Sequence, residues 1–485
     1  MSVETDSPQA SRQSATASFT RPGLSELLGL SWPIIISRSS QSVVGFTDAV
    51  MVGKLGESAL AATTTGAMNA YAAFVLPMGT VFIVSSFVSQ LAGAGQARSA
   101  RRFAYYGLGI SALGGLLCLL LVALVPWILS FFSYTPEVRK LLIGYLTYRL
   151  LSGGFAVGLE ALGNYYGGLG NTRLPMMAQI FAMVLNVALC WVLIYGHLGM
   201  PALGVIGSAL ASSIATLFAF IALLACFLLG IGEAASAELP PAEALHGPPL
   251  AVEPGERVNL KEFGRTLRFG LPAGFNWFIE FAAFWFFTNV VLAGLGTTAL
   301  AAVMAVFQLN SISFMPAFAI ASAGAIFVGR ALGANAPDDV PRTVRLTVLA
   351  AGTWQGLVAL SYLVIPTLLM RTFLSSDVDA HVFIEAGVRV LILSTCWQLF
   401  DAISMVLGEA LRAAGDTAFI FWARAVIAWG IFTPGALISV RILHLSEVAA
   451  AAWLVVYLAC LSLVLYLRFR TGKWRSMNLT GGSAH

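Results

Sequence analysis

Twelve runs of apolar residues, each about as long as a bilayer is thick when coiled into a helix, govern what this 485-residue chain can fold into. They fall at approximately 27–52, 61–91, 103–132, 139–162, 174–195, 203–230, 267–293, 299–329, 344–371, 382–408, 418–440 and 445–467. A helix rises about 1.5 Å per residue, so roughly 20 residues cross about 30 Å of hydrocarbon. No water is available there to satisfy backbone N–H and C=O groups, so only helices and closed barrels can span. Barrel strands would alternate apolar and polar residues, and these runs do not. The expected fold is therefore an all-α polytopic membrane protein with twelve transmembrane helices. With 58% hydrophobic residues, only 10% charged and a mean hydropathy of +0.84, the chain has more apolar surface than a soluble core of its size could hide.

The punctuation between runs divides the chain. Residues 1–26 are polar and Ser/Thr-rich without an apolar h-region, which predicts a disordered cytoplasmic tail and no cleavable signal peptide. A Pro- and Glu-rich stretch at 231–266 has no apolar periodicity and reads as a linker. It separates a six-helix N-lobe, 27–230, from a six-helix C-lobe, 267–467, and a second tail follows at 468–485. The lobes resemble each other. "GESALAA" from Gly56 and "GTTALAA" from Gly296 lie 240 residues apart, as do "LAGAGQA" from Leu91 and "ALGANAP" from Ala331. Pro77 and Pro316 differ by 239, and "GLGNTRLP" is echoed by "AAGDTAFI" 245 residues on. Four pairs in the same order indicate duplication of a six-helix unit. An even number of helices per unit makes the repeat parallel, about an axis along the membrane normal.

Charge sets the expected orientation. Eighteen Lys and Arg fall on the side of the termini and linker, against Lys54, Arg139, Lys140, Arg371 and Arg441 on the other. The positive-inside rule puts both termini and the linker in the cytoplasm. The five cysteines lie in apolar runs without metal spacing or a disulfide pattern, and the five histidines fall in loops or tails. No cofactor is expected, a membrane redox enzyme is disfavoured, and no motif joins a nucleophile to a base. The net charge of +4 is small, and no feature points to a nucleic-acid partner.

A charge near mid-membrane costs at least about 2.5–3.5 kcal/mol, so each one needs a reason. Asp48 sits roughly 9 Å from the outer edge, Glu280 roughly 20 Å and Asp401 roughly 16 Å from the terminal side, at 1.5 Å per residue. A water-filled cavity between the lobes accounts for all three, with buried salt bridges as the structural alternative. A desolvated carboxylate can exchange a proton, ligate Na⁺ or attract an organic cation. One site cannot hold the coupling ion and a cationic substrate equally well at once, which is the physical basis of antiport. Gln41, Asn186, Ser212 and Ser213 add neutral oxygens in the half that holds Asp48. Gln41, Asn276, Trp277, Gln308 and Asn310 are the candidates for the substrate-cavity wall. Glu160, Glu385 and Glu409 lie near helix ends, where they are expected to reach headgroups or water. Arg38 is expected to pair with a carboxylate or carbonyl of another helix, whereas Arg149, Arg389 and Arg424 have no assigned partner. Prolines 33, 77, 272 and 316 interrupt the runs at related positions, where kinks are expected.

Between Leu27 and about Leu467 the chain carries "QSVVGFTDAVMVGKLGESALAA", "GLGNTRLPMMAQIFAMVLNVALCWVLIYG", "LPAGFNWFIEF", "FMPAFAIASAGAIFVGRALGAN" and "QLFDAISMVLGEALRAAGDT". In these stretches it resembles the multidrug and toxic compound extrusion (MATE) family, in its NorM-like or DinF-like branches. The resemblance implies V-shaped lobes around a central cleft in the inner membrane of a bacterium, and a monomer that exports amphipathic organic cations and drugs by alternating access. It further implies that the inward flow of H⁺ or Na⁺ drives export, with Asp48, Asn186 and Ser212 coupling in the N-lobe and Glu280 and Asp401 in the C-lobe. Sodium could bind at Asp48 and Asn186 or at Glu280 and Asp401. Two departures stand out: Cys190 occupies a place where many relatives carry Asp or Asn, which leans the reading toward H⁺. Val303 and Met304 replace a frequent His-Gln pair. A flippase for a lipid-linked oligosaccharide is the rival reading, since related families share the duplicated architecture. It would need a cluster of cavity arginines for pyrophosphate.

Overall fold

The computed structural model describes residues 21–233, 258–373, 380–477 and 479, and every element among them is helical. The N-lobe comprises α1 (Leu24–Gly53), α2 (Glu57–Val81), α3 (Ile83–Gly93), α4 (Arg101–Ile128), α5 (Pro136–Leu151), α6 (Gly153–Leu169), α7 (Arg173–Tyr195) and α8 (Gly204–Leu228). The C-lobe comprises α9 (Leu260–Phe286), α10 (Thr297–Gly333), α11 (Val340–Val364), α12 (Pro366–Arg371), α13 (Ala380–Ala414), α14 (Thr417–Ile427), α15 (Thr433–Leu437) and α16 (Glu447–Arg470). Among the described residues, ten helical stretches are long and apolar enough to cross a membrane, and the bent pair α5–α6 makes an eleventh. Helix α1, 30 residues long, covers the first predicted run but is diluted by Glu26, Arg38, Asp48 and several serines. Together these correspond to the twelve runs.

The structure differs from the sequence expectation at particular points. The fourth run is not one helix: it bends by 43° at Ser152. Gly153 and Gly154 follow directly, and such a pair lets a backbone turn without side-chain cost. The second run breaks at Phe82, five residues after Pro77, while helices continue through Pro33, Pro272 and Pro316. In the C-lobe the matching 37-residue stretch, 297–333, is continuous, although the N-lobe counterpart 57–93 has the same length. Helix α9 starts at Leu260, inside the expected linker, and α16 runs to Arg470, inside the expected tail. The expected disordered tail through residue 20 and most of the linker lie outside the described residues.

The lobes meet on the side that carries the termini. Leu27, Leu30 and Ile34 of α1 pack into the C-lobe core, whereas Met51 and Val52, four turns or more further along, belong to an N-lobe cluster. Glycines let the backbones close. A Cβ at Gly93 would collide with the backbone of Arg330, one at Gly333 with the carbonyl of Gln90, and one at Gly274 with the carbonyl of Leu76. Polar groups then lock the seam: Gln90 Nε2 donates to the Ala413 carbonyl at 2.7 Å and Arg330 Nη2 to the Leu169 carbonyl at 2.8 Å. Arg412 Nη1 donates to the Phe82 carbonyl at 2.6 Å and to Ser85 Oγ and Ser86 Oγ at 3.1 Å, so the break in the second run is capped by a cation from the other lobe. Farther from the terminal side, Tyr71 still reaches Phe281 edge-on, with ring centroids 5.6 Å apart.

Gly333→Ala places a methyl group against the Gln90 carbonyl and is expected to part the seam. Backbone amides of 83–93 should then exchange with deuterated solvent faster than in the wild-type protein, while those of α7 and α8 remain unchanged.

Candidate functional site

A cavity of about 450 Å³ lies between the lobes, within the range that holds one drug-sized molecule. Its N-lobe wall includes Arg38, Gln41, Asp48, Tyr71, Arg149, Asn186 and Ser212, and its C-lobe wall Trp277, Phe314 and Phe318. Helical spacing explains how the polar groups meet. Asn186 and Cys190 are four residues apart and share a face of α7, Ser208 and Ser212 share a face of α8, and both faces turn toward Asp48 on α1.

Asp48 is buried, with 6% of its surface exposed. Its Oδ2 accepts a hydrogen bond from Ser212 Oγ at 2.9 Å and its Oδ1 one from Cys190 Sγ at 3.1 Å. Ser212 Oγ in turn accepts from Asn186 Nδ2 at 3.0 Å. The sequence reading treated Cys190 only as a weak Na⁺ ligand; the structure gives its thiol a positive task, as one of two donors to the carboxylate. Asn186 Oδ1 is buried with no hydrogen-bond partner, so one neutral acceptor stands unsatisfied on α7, while the buried Ser208 hydroxyl of α8 faces the Asp48 carboxylate as a further donor. Burying such an acceptor unpaired costs about 1–3 kcal/mol, which a proton or cation held there would offset.

The C-lobe carboxylates are arranged differently. A recess of about 50 Å³ is lined by Asn276, Trp277, Glu280, Asp401 and Arg424, among others. Glu280 on α9 forms an ion pair with Arg424 Nη1 on α14, and Asp401 on α13 accepts from Gln355 Nε2 on α11 at 3.0 Å. A guanidinium therefore already occupies Glu280, where the sequence reading had left room for a metal ion. Among the described residues no group of three or more His, Cys, Asp or Glu gathers around a point. Gln355 was missed in the sequence, although a glutamine inside the apolar run of α11 was the available signal.

The remaining candidates separate. Gln41 lines the large cavity, Asn276 the C-lobe recess, and Trp277 both. Asn310 accepts from Gln398 Nε2 at 3.1 Å and joins α10 to α13, while Gln308 is exposed; neither lines these two cavities. Two expectations need correction. Glu160 and Glu409 are not at the headgroups: each is largely buried on a cavity wall, Glu160 against Arg38 and Glu409 against Arg412. Glu385 is exposed and bonds Arg389, which also bonds Glu447 at 2.8 Å. Arg149 donates to Ser152 Oγ at 2.7 Å beside the Phe74 ring.

Comparison with known proteins agrees with this architecture. The MatE family model matches residues 33–192 and 272–437. A probable multidrug resistance protein NorM of Shewanella oneidensis is 25% identical over 84% of this chain and 84% of its own. Among solved structures, a MOP superfamily transporter from Pyrococcus furiosus superimposes with a TM-score of 0.80 at 18% identity, covering 94% of this chain and 98% of its own. A Vibrio cholerae MATE transporter does so with a TM-score of 0.78 at 19% identity, covering 96% and 99%.

Removing one partner of a buried ion pair strands the other charge, at a cost of about 3–5 kcal/mol; the Glu280 side chain is 35% exposed on the recess, so the cost here falls below that range. Arg424→Gln is therefore expected to lower the midpoint of thermal unfolding in detergent, and Glu280→Gln in the same molecule to recover a large part of the loss. A double variant no more stable than Arg424→Gln alone would contradict the pairing.

Proposed function

The chain belongs to the MatE family of membrane transporters, and from that premise we propose that it is a secondary active exporter of amphipathic organic cations, driven by protons through Asp48. It is a multi-pass membrane transporter and not an enzyme. The single observation that carries the coupling proposal is the donor set on Asp48: a thiol and a hydroxyl both aim hydrogens at one buried carboxylate, inside a cavity large enough for a drug.

The mechanism follows from that geometry. With the carboxylate ionised, Cys190 and Ser212 stabilise its charge and the cavity attracts a cation. A proton arriving from the far side neutralises Asp48, and the protonated carboxyl becomes a donor in search of an acceptor. Asn186 Oδ1 is the unsatisfied acceptor on α7, and the Ser208 hydroxyl on α8, a donor to the ionised carboxylate, can turn its oxygen to accept. The neutral site no longer holds the substrate's charge, so the cation leaves as the proton enters. Exchange of protein partners around Asp48 then links its charge to the packing of α1, α7 and α8.

Sodium is the second reading, favoured by those same two oxygens, which with the carboxylate and Ser212 Oγ offer a hard-ligand set. The soft Cys190 sulfur in contact with Asp48 weighs against it. In the C-lobe, the Glu280–Arg424 pair supports a structural part for Glu280, with Asp401 held by Gln355. No cofactor enters the cycle. The inner membrane, cytoplasmic termini and a monomeric working unit complete the proposal. A lipid-linked oligosaccharide flippase is disfavoured, because Arg38 is engaged by Glu160 and is not free to bind pyrophosphate.

In proteoliposomes, an imposed pH gradient is expected to drive ethidium transport and a Na⁺ gradient alone is not. Asp48→Asn should abolish gradient-driven transport, a loss of at least about tenfold, while Glu280→Gln retains it. Transport driven by Na⁺ alone would reassign the ion; full activity in Asp48→Asn would remove Asp48 from the coupling site.

A further inference from the structure

One charged pair inside the bundle is used by none of these steps, although it stands at the meeting point of two cavities. Arg38, Phe82, Leu159, Glu160, Gln179 and Phe318 belong at once to the wall of the large cavity and to that of a second one, of about 80 Å³, on the terminal side. The smaller cavity extends to Thr172, Ile326, Glu409 and Arg412, near the terminal-side ends of α7, α10 and α13. Whatever passes from one cavity to the other passes the Arg38–Glu160 pair.

The guanidinium is held as a ligand would be. Arg38 Nη2 donates to Glu160 Oε1 at 2.5 Å and Nη1 to Oε2 at 3.2 Å, the two-pronged geometry of a strong charge-assisted pair. Its Cζ lies 5.7 Å from the centroid of the Phe82 ring and 5.8 Å from that of Phe318, one ring from each lobe. A cation between aromatic faces gains from both ring quadrupoles. Asn164 Nδ2 adds a bond to Glu160 Oε1 at 3.3 Å and steadies the acceptor. A flat delocalised cation, a carboxylate and two aromatic rings are the complete recognition set for an amphipathic organic cation, and here the cation is the protein's own side chain.

We infer that Glu160, with Phe82 and Phe318, forms a second binding station for the charged group of the substrate, and that Arg38 is its tethered competitor. The inference rests on the reading of this chain as an organic-cation exporter. When the station is free of substrate, Arg38 fills it and separates the two cavities. An incoming cation from the terminal side takes Glu160, releases the guanidinium toward Glu409, the other carboxylate on the wall of the smaller cavity, and opens the passage toward Asp48. Because Phe318 belongs to the C-lobe and the other three groups to the N-lobe, the station is complete only while the terminal side of the seam is closed. Arg38 keeps a buried carboxylate compensated through the part of the cycle in which no substrate is present, which an unpaired Glu160 could not survive at low cost.

The test uses purified full-length protein and two small cations, ethidium and methylguanidinium. Glu160→Gln keeps the shape and is expected to weaken ethidium binding by about tenfold or more, the loss that accompanies removal of one charge-assisted pair. Arg38→Ala should unfold at a lower temperature than the wild-type protein and should be stabilised selectively by millimolar methylguanidinium, which enters the vacated station. Methylguanidinium should leave the wild-type protein and the Arg38→Ala, Glu160→Gln double variant unchanged. Equal ethidium affinity in Glu160→Gln and wild type overturns the inference, and so does methylguanidinium that stabilises Arg38→Ala no more than wild type. If Arg38→Ala cannot be purified, the Glu160→Gln affinity decides alone. If the wild-type protein binds no ethidium, the exporter reading fails, while methylguanidinium rescue still decides the Glu160 station.

Discussion

A charge held away from the two faces of the membrane has to find its counter-charge inside the bundle, and most of this molecule's organisation answers to that demand. Arg38 meets Glu160, Arg412 meets Glu409, and Arg424 meets Glu280. Each pair lies on a surface where helices from different parts of the chain converge, and each would be expensive to bury alone. The compensation also sets what the surrounding helices can do, because a pair that joins two elements resists their separation until another charge takes one partner's place. Asp48 and Asp401 are the exceptions. Neither forms an ion pair: Asp48 accepts from a thiol and a hydroxyl, and Asp401 from the Gln355 amide.

The seam between the lobes obeys a second constraint, closeness. Apolar side chains alone give little preference for helix association in lipid, where the tails are as apolar as leucine. Gly79, Gly93, Gly274 and Gly333 bring backbones within reach, and hydrogen bonds from Gln90, Arg330 and Arg412 then cross the gap. All three donate to backbone carbonyls at or next to helix ends or breaks, where an acceptor is left free by the helix ladder. Contact is thus concentrated on one side of the membrane, and the cavity occupies the remainder of the interface.

Much of this was legible in the sequence, and the limits have physical reasons. The helices could be read because hydrocarbon demands long apolar runs, and their number and order follow. The break at Phe82 could not, because the group that caps its freed carbonyl, Arg412, lies 330 positions away, which no local pattern records. Asp48, Asn186 and Ser212 were legible as oxygens in one lobe, and the resemblance implied that they act together; the direct bond from Cys190 required knowing which faces of α1 and α7 meet. Glu160 and Glu409 were misread for a related reason. Distance from a helix end measures depth along one helix, whereas exposure depends on what packs beside it, and the adjacent arginines came from elsewhere in the chain or from the following turn. Gln308 and Asn310 were placed on a cavity wall by composition alone, and Asn310 instead bonds Gln398.

The two lobes descend from one pattern but are not mechanically equal. Where the N-lobe's second run is hinged at Phe82 and its fourth at Ser152, the C-lobe carries unbroken helices of 37 and 35 residues. A long uninterrupted helix transmits a displacement at one end to the other almost rigidly, while a jointed one absorbs it in the joint. The C-lobe has its own joints elsewhere, in π-helical segments at Phe287–Val291, Ala428–Phe432 and Ile438–Ile442. The two lobes thus place their joints in different helices, and any swing between them is a motion without the symmetry of the sequence that encodes it.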